Sequence, residues 1–176
     1  IIECNGNRIT FLTQRKDDVI LEIKEYQGVA VNTLKIILGN MPEVFSEIQC
    51  CVRQKEFIVI PEEYFESEHS EIFKLSYSLE MDDQLFLDKL ENGVGILYKD
   101  DVEIHNVLKS KYPRITIKHE ASLILSKIKK ELQGTESKLF LSINDDSIII
   151  MYFKDKKIRL CNMFEAKVVH EIFYFV

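Results

Sequence analysis

The chain has 176 residues and a mass of 20.7 kDa, a length that fits one domain, or one domain and part of another. Apolar residues make up 46% and charged residues 30%, a balance that builds a core and excludes disorder. The net charge of −6 argues against a nucleic-acid coat protein, and the longest unbroken apolar run, residues 148–153, is far short of the roughly 20 residues a membrane span needs.

Four cysteines occur, Cys4, Cys50, Cys51 and Cys161, with no CxxC pair and no histidine at ligand spacing, so no metal site is expected. Adjacent Cys50 and Cys51 on a strand would face opposite sides. The thiols read as small buried groups in a reducing cytoplasm. No signal-peptide pattern is present. The chain opens on Ile1-Ile2 without Met and stops at Phe173-Tyr174-Phe175-Val176, so both ends read as cuts inside folded elements of a longer chain.

In chain order, Asn5-Gly6-Asn7 lies between apolar runs and tolerates positive φ, a hairpin signal. Asp17-Asp18 gives a second turn. Val19, Leu21 and Ile23 then alternate with Ile20, Glu22 and Lys24 as a half-buried strand. A three-stranded antiparallel meander over roughly 1–4, 8–13 and 18–26 follows. Beyond Gly28, residues Ala30, Leu34, Ile37, Leu38, Met41 and Phe45 recur at helical spacing. Two β-rich runs, 48–52 and 57–60, are joined by Arg53 to Glu56 as a turn, and Pro61 can open a helical turn. A helix near 70–78 and a strand near 84–88 are expected next.

Residues 94–98 read as a buried strand and Asp100-Asp101 as a helix cap. Val102, Val107 and Leu108 give that helix its apolar side, and Pro113 ends it. Residues 115–117 form another strand, and Ala121, Leu125, Ile128 and Leu132 mark another helix. This order predicts that strands 94–98 and 115–117 lie parallel, with a right-handed crossover. After Gly134 the opening theme returns as strands at 139–143, 147–153 and 157–161, with turns at Asn144-Asp145-Asp146 and Lys154-Asp155-Lys156. Asn162 and Glu165 have capping-box spacing, and Ala166, Val169, Ile172, Phe173 and Val176 would line the helix they start.

Two copies of strand–turn–strand–turn–strand–helix thus lie about 135 residues apart along the sequence. The order resembles an RNase H-like layer, and tandem copies of that layer define the actin-like ATPase architecture. The expected class is therefore α/β, a mixed sheet flanked by helices. The first half covers 1–134 with an insertion near 47–92, and a truncated second half covers 135–176. The run through Ile96-Leu97-Tyr98-Lys99, Ile115-Thr116-Ile117 and the helix from Ala121 is similar to type IV pilus assembly proteins of the actin-like class. The segments Phe57-Ile58-Val59-Ile60-Pro61-Glu62-Glu63-Tyr64-Phe65 and Ile158-Arg159-Leu160-Cys161-Asn162-Met163-Phe164-Glu165 more closely resemble a bacterial family of unknown function with an actin-like ATPase fold.

In working actin-like ATPases, the resemblance implies, both hairpin turns grip phosphate through an Asp-x-Gly pattern, in which Asp holds the metal and Gly opens the backbone. Here Asn5 and Gly6 form the first turn, where Cys4 falls in the Asp place. Asn144 and Asp145 form the second, where Ser142 replaces Asp and Asn144 replaces Gly. Two carboxylates beside phosphate repel it by about 4 kcal/mol per charge pair at an effective dielectric near 20, unless Mg²⁺ bridges them.

The competing constellations are thinner. An RNase H-like nuclease needs converging acids, and Glu3 stands without one inside the expected fourth strand, 94–98; Asp100 lies past its end. His119-Glu120 could act as a base pair or cap a helix. Lys109, Lys111, Arg114 and Lys118 read as solvated surface, while Tyr64-Phe65 and 173–175 read as core or as a partner patch. The expected function is a non-catalytic actin-like module that acts by protein–protein interaction, with a degenerate nucleotide site and no cofactor. The alternative is an active scaffold or ATPase with ATP and Mg²⁺. Neither nucleic acid nor a membrane span is expected as a partner, the protein partner is unspecified, and a homo-oligomer is left open.

Overall fold

The computed structural model describes all residues except 7, 16, 18, 44, 82, 92, 129, 130, 133–135, 145 and 167–176. It divides into two compact units. The first comprises 1–54, 80–86 and 99–120; the second comprises 55–79, 87–98 and 121–176.

The first unit is built on a five-stranded sheet. Strands β1 (Ile2–Asn5), β2 (Arg8–Gln14) and β3 (Ile20–Tyr26) form the expected antiparallel meander. Gly6 makes the first bend at φ +56, a region open to glycine without strain. Beside β1 lies β4 (Gln49–Arg53), and beside β4 lies β8 (Thr116–His119), both parallel, giving the order β3-β2-β1-β4-β8. The helices α1 (Val31–Gly39) and α3 (Val102–Lys111) pack on one another, with Leu34, Ile37, Leu38 and Leu108 buried. The Asp101 carboxylate caps α3 by accepting the Glu103 and Ile104 amides.

Several expectations change here. The run 48–52 does not form a hairpin with 57–60: β4 joins the five-stranded sheet, and β5 (Phe57–Pro61) pairs antiparallel with β7 (Val94–Asp100) in another. The parallel partner of β8 is β4, not strand 94–98, so β4 is the fourth strand of the layer. Alternation along a strand specifies its faces but not its neighbour. The helix α1 stops at Gly39, before Met41 and Phe45. On α3 the buried positions are His105 and Leu108, while Val102 is exposed. β3 is exposed on both faces from Ile20 to Glu25 rather than half-buried: its side chains are left uncovered above and below the sheet among the described residues.

Two further three-stranded sheets are present. In one the order is β5-β7-β6, with β6 at Gln84–Lys89. Pro61 precedes a single 3₁₀ turn, Glu62–Tyr64, as its fixed φ favours, and α2 (His69–Lys74) buries Phe73. Gly95 on β7 is a close-approach position: a Cβ there would lie 2.7 Å from Leu87 Cδ1 and 2.8 Å from Phe65 Cε1. The other sheet has the order β11-β10-β9, from β9 (Lys138–Ile143), β10 (Ser147–Lys154) and β11 (Lys157–Glu165). β10 is central and buried on both faces from Ser147 to Met151. The α4 helix, Glu120–Ile128, buries Ala121, Ser122, Leu125 and Ile128.

The capping box expected at Asn162 is overturned. β11 continues through Glu165, pairing Asn162 with Ile150 and Phe164 with Ile148, and the Asn162 side chain accepts from the Met163 amide. Extending the ladder along a buried central strand outweighs an end signal that reads the same on a strand. Ala166 is buried against Ile148 and Ile150; the remaining residues of the expected final helix, 167–176, lie outside the described residues.

Candidate functional site

Because β1, β4 and β8 run parallel, their C-terminal ends fall on one edge of the sheet, the edge at which open α/β sheets bind ligands. Register brings Asn5 of β1 opposite Arg53 of β4, and Val52 opposite His119 of β8. Gly6 continues from Asn5 into the β1–β2 bend, and a Cβ at Gly6 would meet nothing within 4 Å. Asn5 and Gly6 therefore stand together in the first unit.

The dominant charge on this edge is Arg53. Its side chain is 8% exposed, and its Nε donates to Glu120 Oε2 at 2.8 Å. Glu3, the one acid of β1, lies 3.8 Å from Arg53 Nη1. A guanidinium is permanently charged, so a buried one must be compensated, and these carboxylates compensate it. Alternation sends Cys4 to the opposite side of β1 from Glu3. Cys4 is buried, with its Sγ 3.7 Å from that of Cys50.

A second polar group lies alongside. The Asp100 carboxylate accepts from Gln54 Nε2 at 2.9 Å and meets His105 Nε2 at 2.6 Å, with both Asp100 and His105 side chains nearly fully buried. The Phe86 ring lies 4.0 Å from the His105 ring. His119 Nε2 donates to the Gln54 carbonyl at 2.8 Å, which fixes the proton on that nitrogen. Burial pushes the His119 imidazole down to about 4, against the raising pull of the Gln54 carbonyl and of Glu120 and Asp100. At neutral pH it is uncharged, with Nε2 committed as a donor.

Three thiols, Cys50, Cys51 and Cys161, are held in their protonated form. Burial, then the charges of Glu120 and Glu3, push Cys51 up to about 12, and burial alone does the same for Cys161. The contact with Cys4, then burial, raises Cys50 as well.

In the second unit, Asn144 sits in the β9–β10 turn, and its amide donates to the Ser147 carbonyl at 2.9 Å. Ser147, fully buried, donates from Oγ to Asp146 Oδ1, and the Asp146 carbonyl accepts from the Ala166 amide. Asp145 lies outside the described residues. Among the described residues, no three of His, Cys, Asp and Glu are grouped to hold a metal ion, and no helix is long and apolar enough to cross a membrane.

Sequence reasoning missed Arg53, which it placed in a turn, and His105, to which it gave no role. The available signal was Arg53 at the end of the run Gln49-Cys50-Cys51-Val52, where a parallel strand would present it at the ligand edge.

The layer of three antiparallel strands extended by two parallel ones, with a second antiparallel meander in the other unit, is that of the actin-like ATPase fold. A Bacteroides thetaiotaomicron protein with an actin-like ATPase fold and unknown function superposes with a TM-score of 0.78 at 20% identity, covering 99% of this chain and 72% of its own. A chain of a PilM–PilN type IV pilus biogenesis complex matches distantly, with a TM-score of 0.48 at 8% identity over 98% of this chain and 62% of that one. No curated protein matches. The model of a family described as protein of unknown function (DUF3822) matches residues 39–176, and the chain belongs to that family.

Proposed function

We propose that this chain is a non-catalytic actin-like module that works through protein contacts, its phosphate-gripping turns no longer suited to a metal-bound nucleotide. One observation carries the reading: the only carboxylate of β1, Glu3, is directed to Arg53, whose buried guanidinium lies against Glu120. A divalent cation beside the first turn would find the β1 carboxylate already engaged by Arg53, and Cys4, in the Asp place, is a core thiol. The second turn adds support, because the Asn144 amide is spent inside its own hairpin.

The residues therefore do not fit Mg²⁺-ATP. A second reading, an ATP-binding actin-like scaffold, draws on Gly6, which keeps the positive φ and open space of a phosphate turn. Thermal melts separate the two. A ligand present at 100 times its Kd adds about 2.7 kcal/mol. Mg²⁺-ATP is expected to leave the melting temperature unchanged, and a clear rise would favour the scaffold.

A further inference from the structure

We propose that the outer edge of β3, free among the described residues, pairs with the β3 edge of a second copy of this chain, antiparallel about Ile23, to form a two-fold dimer.

β3 is the outer strand of the five-stranded sheet. Such an edge is normally blunted, because its unpaired backbone groups recruit another strand. This edge has a bulge at Leu21 and the charges of Glu22, Lys24 and Glu25, yet it also carries large aliphatic side chains: Ile20, Leu21 and Ile23 are each more than half exposed, and Val19 nearly so.

The backbone sets which residues can pair outward. The Leu12 amide and carbonyl both bond to Ile1, so they point toward β1 and away from β3. Leu12 is the register partner of Ile23. In an antiparallel ladder the two members of such a pair direct their N–H and C=O away from each other, so those of Ile23 point to the free edge. Ile23 and its copy can then exchange two N–H···O bonds across a two-fold axis.

The side chains favour the same centre. About Ile23, Glu22 falls opposite Lys24 of the second copy and Lys24 opposite its Glu22. Both are non-hydrogen-bonded pairs, where side chains approach more closely. Glu22 and Lys24 already pair within the strand at 2.9 Å, so the dimer would bring together four charges of alternating sign. The regular ladder runs from Glu22 toward Tyr26; at Leu21 β3 carries a bulge against β2, between the partners of Thr13 and Gln14, so the matched pairing is centred on Glu22–Lys24. Neighbouring two-fold registers are worse: centring on Glu22 or on Lys24 sets like charges directly opposite each other. A two-fold pairing also closes on itself, leaving neither β3 edge open.

This inference names the partner for the protein-contact reading and rests on it for its meaning, yet the two fail separately: Mg²⁺-ATP binding would overturn that reading and leave β3 untouched. The test is sedimentation equilibrium on the full chain. A concentration-dependent dimer is expected. Lys24→Glu should weaken it about ten-fold or more by setting carboxylate against carboxylate, and adding Glu22→Lys should restore it. Ile23→Pro removes an amide that makes no bond to β2, so the fold should persist while the dimer is lost. A chain monomeric at every concentration, a dimer indifferent to Ile23→Pro, or a charge-reversed double variant no better than Lys24→Glu would each overturn the proposal. Should Ile23→Pro not fold, the charge series decides alone.

Discussion

Replacing Arg53 with Met tests how the ligand edge is held together. The substitution keeps most of the side-chain volume and removes the guanidinium, leaving Glu120, only 14% exposed, without the cation that neutralises it. Removing one partner of a fully buried ion pair costs about 3–5 kcal/mol. Glu120 retains some water and Glu3 is 42% exposed, so the cost should lie near the lower end, at about 3 kcal/mol. For a chain of this size each kcal/mol moves the melting temperature by roughly 2–4 °C, so the variant should melt about 6–12 °C lower. Circular-dichroism melts at pH 7 measure this directly. Pairing Arg53→Met with Glu120→Gln removes the stranded charge and should recover at least half of the loss. A single variant that loses less than about 1 kcal/mol, or a double variant no more stable than the single, would refute the compensated-charge reasoning.

Three other predictions follow from local geometry. His119 falls from 6.5 to about 4 on folding, so between those pH values the unfolded chain binds more protons, and stability should rise with pH across that window by roughly 3 kcal/mol and then level off; urea unfolding should show a shallower rise in His119→Gln, and an identical slope in both proteins would contradict it. Asp155 and Lys156 both hold positive φ in the β10–β11 hairpin, so the pair Asp155→Asn, Lys156→Gly should add about 1 kcal/mol and raise the melting temperature by roughly 2–4 °C; an unchanged or lower value would count against that turn. Gly95→Ala should cost about 1–3 kcal/mol in chemical denaturation, since its methyl must displace Leu87 and Phe65, and a neutral result would show that both side chains yield freely.

The two meanders were legible because their bends carry explicit chemistry: Asn5-Gly6 at one and Asp155-Lys156 at the other set hairpins whatever lies around them. The parallel half of the first sheet was not legible, because nothing in Cys50-Cys51-Val52 names β1 and β8 as its neighbours. The exposure of β3 was hidden for a related reason: Val19, Leu21 and Ile23 alternate as a buried face would, and only the packing of the folded chain leaves them uncovered among the described residues. At the site, Gly6 and Asn5 could be found from turn signals. The Arg53–Glu120 and Asp100–His105 pairs join residues 67 and 5 positions apart, and both depend on where strands end rather than on any motif.

The most direct measurement is equilibrium dialysis of the full chain against radiolabelled ATP with Mg²⁺. With Glu3 drawn to Arg53 and Cys4 turned into the core, the expected result is no nucleotide retained above the buffer level. Saturable retention that is lost on Gly6→Val would contradict that expectation and identify the first turn as a working phosphate grip.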